Sequence, residues 1–365
     1  MTDCFDLIVI GAGIVGAACA DAAAAAGLTV AVVEAATIGG GVTAAGMGHL
    51  VAVDGVPAEL ALARYSLGLW EALKELPGGE FSRCGTLWIA ADGEDLAAVP
   101  DKLARLRAAG ARAEAIDARQ LRELEPALAP GLAGGVLVPD EAVVYAPRVA
   151  RQLLQRAGQC GARLIRARAV ELGDHAVTLA NGNVLTGAVL VATGSALPEL
   201  LPELPLQLRK GHLVITDRYP GAIHHQLVHM HYTASAHGEA DSVAFNVQPR
   251  PTGQLLIGSS REVGALDTTV SLSMVQRMLQ RAFDFLPGLR QRLALRAWAG
   301  LRPASADGAP YIGRVASRRG IWVAAGHEGL GVTTAPGTAQ LLLDQWLGRP
   351  SAIDVTAFDP ARVAT

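Results

Sequence analysis

The chain has 365 residues and a net charge of −3 at pH 7, and 51% of its residues are hydrophobic while 18% are charged. It is long enough for two packed domains, and its composition is unlike that of a disordered protein. No block of lysine or arginine is present, which argues against a nucleic-acid partner. The four cysteines are scattered, so we expect free thiols and no metal site. No secretory signal or long apolar run is evident, so we expect a cytoplasmic protein without a membrane span, peripheral to a membrane only through a partner.

The start of the chain predicts a strand, a glycine turn, a helix and a second strand. A short apolar run precedes the motif GAGIVG at residues 11–16. Gly11 allows a tight turn, Gly13 lets a pyrophosphate approach the backbone, and Gly16 lets the helix pack on the sheet. The phosphates would lie at the helix N-terminus, and Glu34 would accept hydrogen bonds from a ribose. This unit leaves FAD and NAD(P) open as ligands, and its N-terminal position favours FAD.

The rest of the chain alternates between helical and strand patterns, after a loop of small residues at 35–50. Apolar residues at helical spacing predict helices over 57–76, 96–109, 116–124, 145–158, 273–285 and 334–347. Short apolar or alternating runs predict strands over 86–90, 135–138, 163–165, 170–172, 176–179, 188–192, 212–216, 242–247, 254–259, 296–301 and 321–325.

Two kinds of strand predict two domains. Fully apolar strands at the start, middle and end of the chain are typical of a parallel sheet, whereas alternating strands in its third quarter favour an antiparallel sheet. We expect an α/β fold, with a Rossmann-like FAD-binding domain and an inserted antiparallel-sheet substrate domain of α+β type. The predicted FAD-binding domain is discontinuous and comprises residues 1–75, 141–209 and 300–365, and the substrate domain comprises residues 76–140 and 210–299.

Several motifs resemble those of the D-amino-acid oxidase superfamily, in its glycine and sarcosine oxidase branch. They are the glycine turn, AAGM at 44–47, ATG at 192–194, WAGLRP at 298–303 with DGAPYIG at 307–313, and GH at 326–327. The stretches MGHL, GTLWIA and GHEGLGVTTAP are most similar to the catalytic β-subunit of bacterial D-hydroxyproline dehydrogenases. The resemblance covers essentially the whole chain.

The resemblance implies FAD that is bound without a covalent link, its ADP on the first βαβ unit and its isoalloxazine between the domains. Members with a covalent flavin carry a cysteine near Arg302, and this chain has none there. Relatives with a second covalent flavin use a histidine after the mid-chain strand, which residues 139–147 lack. The residues that we assign to FAD are Gly11, Gly13, Ile14, Val15, Gly16, Glu34, Ala35, Thr43, Ala44, Ala45, Gly46, Met47, Val170, Thr193, Gly194, Arg302, Gly329, Leu330, Gly331, Val332 and Thr333.

The candidate catalytic residues are two arginines and two histidines. Arg302 presents a guanidinium fork that matches a substrate carboxylate. The alternative is a structural role in which Arg302 only ties its loop to Asp307. Arg261 would help to bind the carboxylate or would be a surface charge. His327 would contact the flavin or the substrate, or be a loop histidine with its hydrogen bonds satisfied. His49 would line the flavin edge and, less readily, act as a base.

Other residues are expected at the edges of this site. Relatives of glycine-oxidase type carry a second arginine after the Gly-His pair, where this chain has Glu328-Gly329-Leu330. Backbone N–H groups at the start of the last helix would stabilise negative charge at flavin N1/O2. Tyr232, Phe245 and Asn246 would line the substrate pocket, or belong to the core.

These features predict the oxidation of a D-configured or secondary amino acid by hydride transfer from Cα to flavin N5. The leading substrate is cis-4-hydroxy-D-proline or D-proline, with electron-accepting partner subunits in a hetero-oligomer. Three alternatives stay open: a glycine or sarcosine oxidase that uses oxygen, the glycine-oxidising subunit of a cyanide synthase, and a flavin-carrying scaffold subunit. A plain NAD(P)-binding protein is the remaining alternative, and it would be colourless.

Overall fold

The structure is a computed structural model that describes residues 3–53, 55–232 and 240–363. The N-terminal unit folds as its sequence predicts, with β1 (Asp3–Ile10), α1 (Ile14–Ala25) and β2 (Val30–Glu34), and β1 is parallel to β2.

The turn between β1 and α1 requires glycine for steric reasons. Gly11 has a φ of +103°, and a Cβ there would lie 2.5 Å from the Ala192 carbonyl oxygen. A Cβ on Gly16 would lie 2.0 Å from the Gly11 carbonyl oxygen. The two glycines therefore let the helix approach the sheet closely, as the motif predicts.

The remaining elements follow in chain order. The helices are α2 (Gly41–Ala45), α3 (Pro57–Trp70), α4 (Gly93–Ala97), α5 (Val99–Ala108), α6 (Ala118–Leu124), α7 (Ala146–Gln159), α8 (Leu197–Leu200), α9 (Leu272–Phe285) and α10 (Gly331–Trp346). The strands are β3 (His49–Leu50), β4 (Thr86–Ala90), β5 (Glu114–Asp117), β6 (Gly134–Val138), β7 (Ala142–Val143), β8 (Arg163–Arg166), β9 (Ala169–Gly173), β10 (Ala176–Leu179), β11 (Val184–Val191), β12 (Gln207–Arg218), β13 (Gln226–His229), β14 (Ser242–Pro249), β15 (Gln254–Val263), β16 (Ala294–Ala304), β17 (Tyr311–Arg314) and β18 (Ile321–Ala325).

The first sheet has the order β17-β18-β11-β1-β2-β8, with β9 and β10 attached beside β11. Strands β18, β11, β1, β2 and β8 are parallel, and β17 is antiparallel to β18. The two faces of β1 enter two separate cores: Leu7 and Val9 pack with α1, α7 and α10, while Ile8 and Ile10 pack on the opposite side. The sheet is thus buried on both faces, which explains its continuous apolar strands.

The second sheet has the order β16-β12-β15-β14-β13-β4-β6-β5. Its pairs are antiparallel except for β13 with β4. Helix α9 covers one face, where Met278 and Phe285 pack with Phe245 and Val247. Part of the opposite face packs against α5, where Trp88 and Val136 meet Leu103 and Leu106, and another part lines the site described below. This arrangement confirms the predicted fold class.

The predicted domain limits stay a prediction, and the sheet membership supports them. Strands of the first sheet lie within 3–34, 163–191 and 311–325, and strands of the second sheet lie within 86–138 and 207–304. The end residues 1–2 and 364–365 of the predicted ranges lie outside the described residues.

The structure differs from the sequence prediction at several element ends. The prediction that Arg302 follows its strand in a loop is wrong, because β16 continues to Ala304 and Arg302 pairs with Arg209 of β12. The helix predicted over 96–109 is two helices, α4 and α5, with Pro100 in the first turn of α5. Strand β13 was not predicted. Among the described residues, no helix combines the length and the apolar character needed to cross a membrane.

Candidate active site

A cavity of about 320 Å³ is lined by both sheets and by the N-termini of α1 and α10. It joins the glycine turn at Gly11 to Arg302 of β16 and to the loop before α10. Cavities between packed layers, lined mainly by backbone and small side chains, are the usual sites of extended cofactors.

The N-terminus of α1 is open toward this cavity. Gly13 occupies the N-cap position, and no side chain caps the helix from there. The Ile14 N–H donates to Thr43 Oγ1 at 3.0 Å. A Cβ on Gly13 would approach only Thr43 Oγ1, at 3.2 Å, and would otherwise project into the cavity that Gly13 lines. The helix end is therefore shaped for an anion that approaches the backbone directly.

Glu34 is held rigidly at the same end of the cavity. Its Oε2 accepts a hydrogen bond from the Ala12 N–H at 2.7 Å, and its Oε1 accepts one from the Ala36 N–H at 2.7 Å. Both bonds fix the carboxylate beside the glycine turn, where its remaining lone pairs can accept hydrogen bonds from ribose hydroxyls.

The far end of the cavity is narrowed by close packing of α2 against β16. A Cβ on Gly300 would lie 2.3 Å from Cβ of Ala45. Trp298 Nε1 donates to the Ala45 carbonyl oxygen at 3.3 Å, and Met47 is buried against β12 and β15. Small residues on both sides leave a narrow space with few side chains in the way.

The N-terminus of α10 faces the same end. Gly329, Gly331 and Val332 line the cavity, and the N-cap residue Leu330 provides no side-chain cap. The free N–H groups and the dipole of this 16-residue helix favour negative charge in the cavity. Thr333 instead holds the neighbouring loop, because its Oγ1 donates to the His49 carbonyl oxygen at 3.0 Å.

Most of the residues predicted to bind FAD line this cavity. They are Gly11, Gly13, Ile14, Val15, Glu34, Thr43, Ala45, Gly46, Met47, Thr193, Gly194, Arg302, Gly329, Gly331 and Val332. The residues that do not line it are Gly16, Ala35, Ala44, Val170, Leu330 and Thr333. Val170 is 49% exposed on β9, and Gly16 packs against the turn instead.

Among the wall glycines that are absent from the predicted site residues, two lie within strands. Gly211 of β12 and Gly300 of β16 face each other across the two paired strands, and both line the cavity. A glycine inside a strand pattern often marks a close approach of a ligand or another backbone, so each was a usable signal. The wall also includes Ala36, Thr37, Gly40, Gly41, Val42, Gly48, Ala192, Ser195, His212, Leu213, Tyr232, Ser259, Leu301, Pro303, Ala324, Ala325, Gly326 and Glu328.

Arg302 stands between this cavity and a second one, and it lines both. Its Nη2 donates to the Ser260 carbonyl oxygen at 2.7 Å, and its buried Nε has no hydrogen-bond partner within the described chain. The alternative that Arg302 ties its loop to Asp307 is wrong, because Asp307 pairs with Arg362 at 2.6 Å. A half-buried guanidinium with a buried donor to spare is suited to a carboxylate.

Arg261 occupies a different position. It is 7% exposed on β15, so the alternative of a surface charge is wrong. It lines neither cavity. Burial and the nearby Arg209 lower the pKa of its guanidinium, and Glu328 partly opposes this shift.

His327 is buried and His49 is half-buried, and both have hydrogen-bond partners. His327 Nε2 lies 3.0 Å from Thr338 Oγ1, and His49 Nε2 lies 3.1 Å from the Gly329 carbonyl oxygen. Burial lowers the pKa of each imidazole to about 4. Both are therefore neutral near pH 7 and are weak bases. Because a carbonyl oxygen only accepts, His49 carries its proton on Nε2 and keeps Nδ1 as an acceptor.

The second cavity, of about 80 Å³, lies on the face of the second sheet that α9 leaves open. Alternate strand residues line it, because neighbouring strands are in register: Gln226 pairs with Thr86, and Val228 pairs with Trp88 and Asn246. The residues shared with the larger cavity are His49, Tyr232, Arg302, Glu328 and Gly329. Asn246 and Tyr232 thus line it as expected, whereas Phe245 points to the core and stacks on Phe285.

Two acidic residues line the second cavity. Glu328 is paired with Arg209 at 2.5 Å. Glu59, in the first turn of α3, is 8% exposed. Burial, and secondarily the charge of Glu328, raises the pKa of Glu59 to about 8.

A cluster of Asp95, His229 and His231 lies outside both cavities, with its ligand atoms within 4.8 Å of one another. The sequence prediction of no metal site rested on cysteine spacing and did not consider it. Asp95 Oδ2 lies 2.9 Å from His229 Nε2, Oδ1 lies 2.5 Å from His231 Nδ1, and Oδ2 also accepts from the Ala91 N–H. These hydrogen bonds satisfy the carboxylate without a cation.

The larger cavity fits FAD. At one end it has a helix N-terminus with a glycine at the N-cap and a fixed carboxylate. At the other end it has a narrow space and a second helix N-terminus, whose N-cap residue provides no side-chain cap. None of the described residues that line it is a cysteine, so the structure offers no thiol for a covalent link.

Known proteins match the chain along nearly its whole length. The chain is 29% identical to a glycine oxidase from Geobacillus kaustophilus, over 99% of this chain and 98% of the relative. The crystal structure of glycine oxidase from the same organism superposes with a TM-score of 0.87 at 27% identity, covering 99% of each chain. The chain is also 27% identical to hydrogen cyanide synthase subunit HcnC from Pseudomonas aeruginosa, over 99% of this chain and 97% of the relative.

The match to a family model agrees with the site. The model, described as DAO: FAD dependent oxidoreductase, matches residues 6–345, from β1 through all but the last residue of α10. The expected superfamily and cofactor are thereby confirmed, and the chain belongs to the DAO family of FAD-dependent oxidoreductases.

Proposed function

We propose that this protein, an FAD-dependent amino-acid oxidoreductase, oxidises a small α-amino acid at Cα to the imine. The observation that carries the proposal is the position of Arg302, which lines both the cofactor cavity and the second cavity. Bound FAD supplies the hydride acceptor, its flavin N5. A carboxylate held by Arg302 would fix Cα next to the larger cavity, and such fixing of reactants is the main requirement of this chemistry.

The chain's own residues contribute orientation and electrostatics. The β16 strand and the bond to Ser260 hold the Arg302 guanidinium in place. The N-terminus of α10 favours negative charge on the cofactor side. His49 and His327 are neutral near pH 7, so they do not repel the substrate ammonium group. His49 Nδ1 keeps a lone pair that would accept a hydrogen bond from the substrate amine.

Two substrate classes are candidates. The glycine oxidase relatives, at 29% identity over the chain, favour glycine or sarcosine. The second cavity favours a larger substrate of the D-proline or cis-4-hydroxy-D-proline type, because glycine has no side chain to occupy it. This chain also differs from the glycine-oxidase pattern after the Gly-His pair. Relatives of that type carry a second arginine there, whereas this chain has Glu328.

The electron acceptor is either oxygen or a partner subunit. The relative HcnC is named as a subunit of a synthase, and this supports a hetero-oligomer in which partner subunits reoxidise the flavin. A cytoplasmic location is part of the same proposal.

Anaerobic flavin bleaching tests the proposed function. The purified holoprotein is mixed with glycine, sarcosine, D-alanine, D-proline and cis-4-hydroxy-D-proline, and the visible absorbance of the oxidised flavin is followed. We expect at least one of these compounds to bleach the flavin within seconds. Admission of oxygen then separates an oxidase, whose colour returns rapidly, from a dehydrogenase. A flavin that no amino acid reduces would indicate the scaffold alternative instead.

A further inference from the structure

The second cavity has one end that opens to the cofactor and one end that does not. Arg302 and Tyr232 also line the larger cavity, whereas Glu59 and Asn246 line only the smaller one. A substrate whose carboxylate lies on Arg302 therefore extends its side chain toward Glu59 and Asn246. At roughly 12 Å³ per water-sized atom, 80 Å³ leaves room for about six non-hydrogen atoms.

The distal end of this cavity contains polar groups that nothing in the described chain satisfies. The residue Glu59 is 8% exposed, and neither a hydrogen bond nor an ion pair joins its carboxyl to any described residue. The Asn246 side chain is 5% exposed and likewise has no hydrogen-bond partner among the described residues. Buried polar groups without partners are uncommon and costly, and they are expected where a ligand completes the network.

None of the described donors that line the rest of the cavity is hydrogen-bonded to Glu59. Gln226 Nε2 is already bonded to Thr86 Oγ1 at 3.2 Å and to the Ala142 carbonyl oxygen at 3.1 Å. The neighbouring acid Glu328 already forms an ion pair with Arg209. Val51, Val53 and Val228 add apolar wall. Trp88 Nε1 also belongs to a lining residue, and this buried donor has no hydrogen-bond partner among the described residues.

We infer that Glu59, with Asn246, is a specificity-determining pair that selects an α-amino acid with a hydrogen-bond donor at the far end of a short side chain or ring. The inference rests on the proposed function, since it takes Arg302 as the carboxylate site. The donor is a hydroxyl or an ammonium group. A hydroxyl would donate to the carbonyl oxygen of the neutral carboxyl, whereas the charge of an ammonium group would favour the ionised carboxylate. Glycine, sarcosine and D-alanine lack such a donor and leave both side chains unsatisfied.

Matched substrate pairs that differ by one donor test the inference. The hydroxyl pairs are cis-4-hydroxy-D-proline against D-proline and D-serine against D-alanine, and the ammonium pair is D-2,4-diaminobutyrate against D-2-aminobutyrate. For each compound, the rate of anaerobic flavin reduction is divided by the apparent dissociation constant. We expect the donor-bearing member of at least one kind of pair to exceed its partner by about tenfold or more in the native holoprotein.

Two variants of Glu59 assign the preference to this residue. Glu59→Leu removes both acceptor oxygens, and the ratio within each pair is expected to fall to about one. Glu59→Gln keeps one acceptor oxygen and the side-chain shape, so it is expected to keep part of a hydroxyl preference and to lose an ammonium preference. Glu71→Gln is the matched control, because Glu71 ends the same helix on the protein surface and pairs with Arg83. It is expected to keep the native ratios.

A binding measurement separates recognition from chemistry. Cyclopentanecarboxylate and cis-3-hydroxycyclopentanecarboxylate have no amine to oxidise, and each is titrated against the flavin absorbance of the holoprotein. We expect the hydroxylated compound to bind more tightly to the native protein than to Glu59→Leu if the donor is a hydroxyl. Flavin content and melting temperature show whether each variant is folded.

The outcomes distinguish the inference from the proposed function. If glycine or D-alanine bleaches the flavin but no pair shows a donor preference, the inference is overturned while the proposed function stands. If a preference exists but survives Glu59→Leu, Glu59 is not its source and the inference is equally overturned. If no compound bleaches the flavin, the proposed function itself fails.

Discussion

Gly300 of β16 faces Ala45 of α2 so closely that a Cβ on the glycine would lie 2.3 Å from the alanine Cβ. The two residues belong to opposite walls of the cofactor cavity, and both line it. The contact therefore joins the loop after the nucleotide-binding unit to the strand that carries Arg302. Neither wall can move away without changing the width of the cavity.

We predict that Gly300→Ala weakens FAD binding about tenfold or more, because the added methyl group must displace α2 or β16. Overpacking of this kind typically costs about 1–3 kcal/mol, and the middle of this range corresponds to a change in affinity of about thirtyfold. Quenching of free FAD fluorescence on titration with apoprotein measures the affinity. The second substitution Ala45→Gly removes the opposing methyl and is expected to restore most of the loss. If Gly300→Ala binds FAD as tightly as the native protein, the two walls are not held together as the structure indicates.

We predict that Arg302→Ala raises the KM for the amino acid sharply and lowers kcat/KM. The expected loss corresponds to an increase of about 3 kcal/mol in the activation free energy, as for the loss of a charged hydrogen-bonded pair. Arg302→Lys keeps the positive charge but not the guanidinium fork, so its kcat/KM is expected to lie between those of the native protein and Arg302→Ala. Stopped-flow flavin reduction with the best substrate measures both effects. Arg296→Ala is the control, because Arg296 is exposed on the same strand and packs over Trp298. Near-normal kinetics of Arg302→Ala would move the carboxylate site elsewhere.

The cofactor end of the site was predictable because its determinants are local in the sequence. The strand, the glycine turn, the helix and Glu34 follow one another within 34 residues, and each has a separate steric or electrostatic reason. The fold class was predictable from the same kind of local pattern. Fully apolar strands indicate a sheet that is buried on both faces, whereas alternating strands indicate a sheet that is buried on one face.

The substrate end was less predictable because distant segments form it. Thr86, Gln226 and Asn246 become neighbours only through the pairing of β13 with β4 and β14, and β13 is too short to be recognised by its pattern. Arg302 was assigned to a loop because the apolar run before it ends at Leu301, whereas pairing with β12 continues the strand. Apolar spacing in α3 likewise does not reveal that Glu59 faces a cavity.

We predict that Glu34→Gln weakens FAD binding about tenfold and slightly lowers the melting temperature of the apoprotein. The carboxylate accepts from both the Ala12 and Ala36 N–H groups, and an amide has only one oxygen for the two. Leaving the N–H of the buried residue Ala12 without its acceptor costs about 1–3 kcal/mol and lowers the stability of the apoprotein. The affinity for FAD falls because the ribose hydroxyls lose a charged acceptor, and a hydrogen bond to a charged group is worth about 1.5–3 kcal/mol. FAD release on dialysis gives the affinity. Glu199→Gln is the control, because Glu199 pairs with Arg168 on the surface. Equal retention of FAD by the two variants would contradict a role for Glu34 at the ribose.

We predict that Glu59 makes the folded protein less stable as the pH rises from about 5 to 8. Burial raises the pKa of this carboxyl from 4.5 to about 8 in the folded state. Between these values the folded protein holds a proton that the unfolded chain releases, so the free energy of unfolding falls by up to about 1.4 kcal/mol per pH unit. Above about pH 8 the Glu59 carboxyl is ionised in both the folded and the unfolded protein, so the free energy of unfolding falls no further through this group. Glu59→Gln cannot ionise and lacks this slope.

The measurement is the difference in melting temperature between Glu59→Gln and the native holoprotein at pH 5, 6, 7, 8 and 9. The difference is expected to move in favour of the variant up to about pH 8 and then to level off. All other groups that titrate are present in both proteins, so their contributions to the pH dependence of stability cancel in the difference. This includes His49 and His327, whose lowered pKa values affect the stability only below about pH 6.5. A difference that stays constant with pH would mean that Glu59 is ionised in the folded state. Its carboxyl would then have a cation or water partner in the cavity, and an empty acceptor for a substrate donor could no longer be assigned to it.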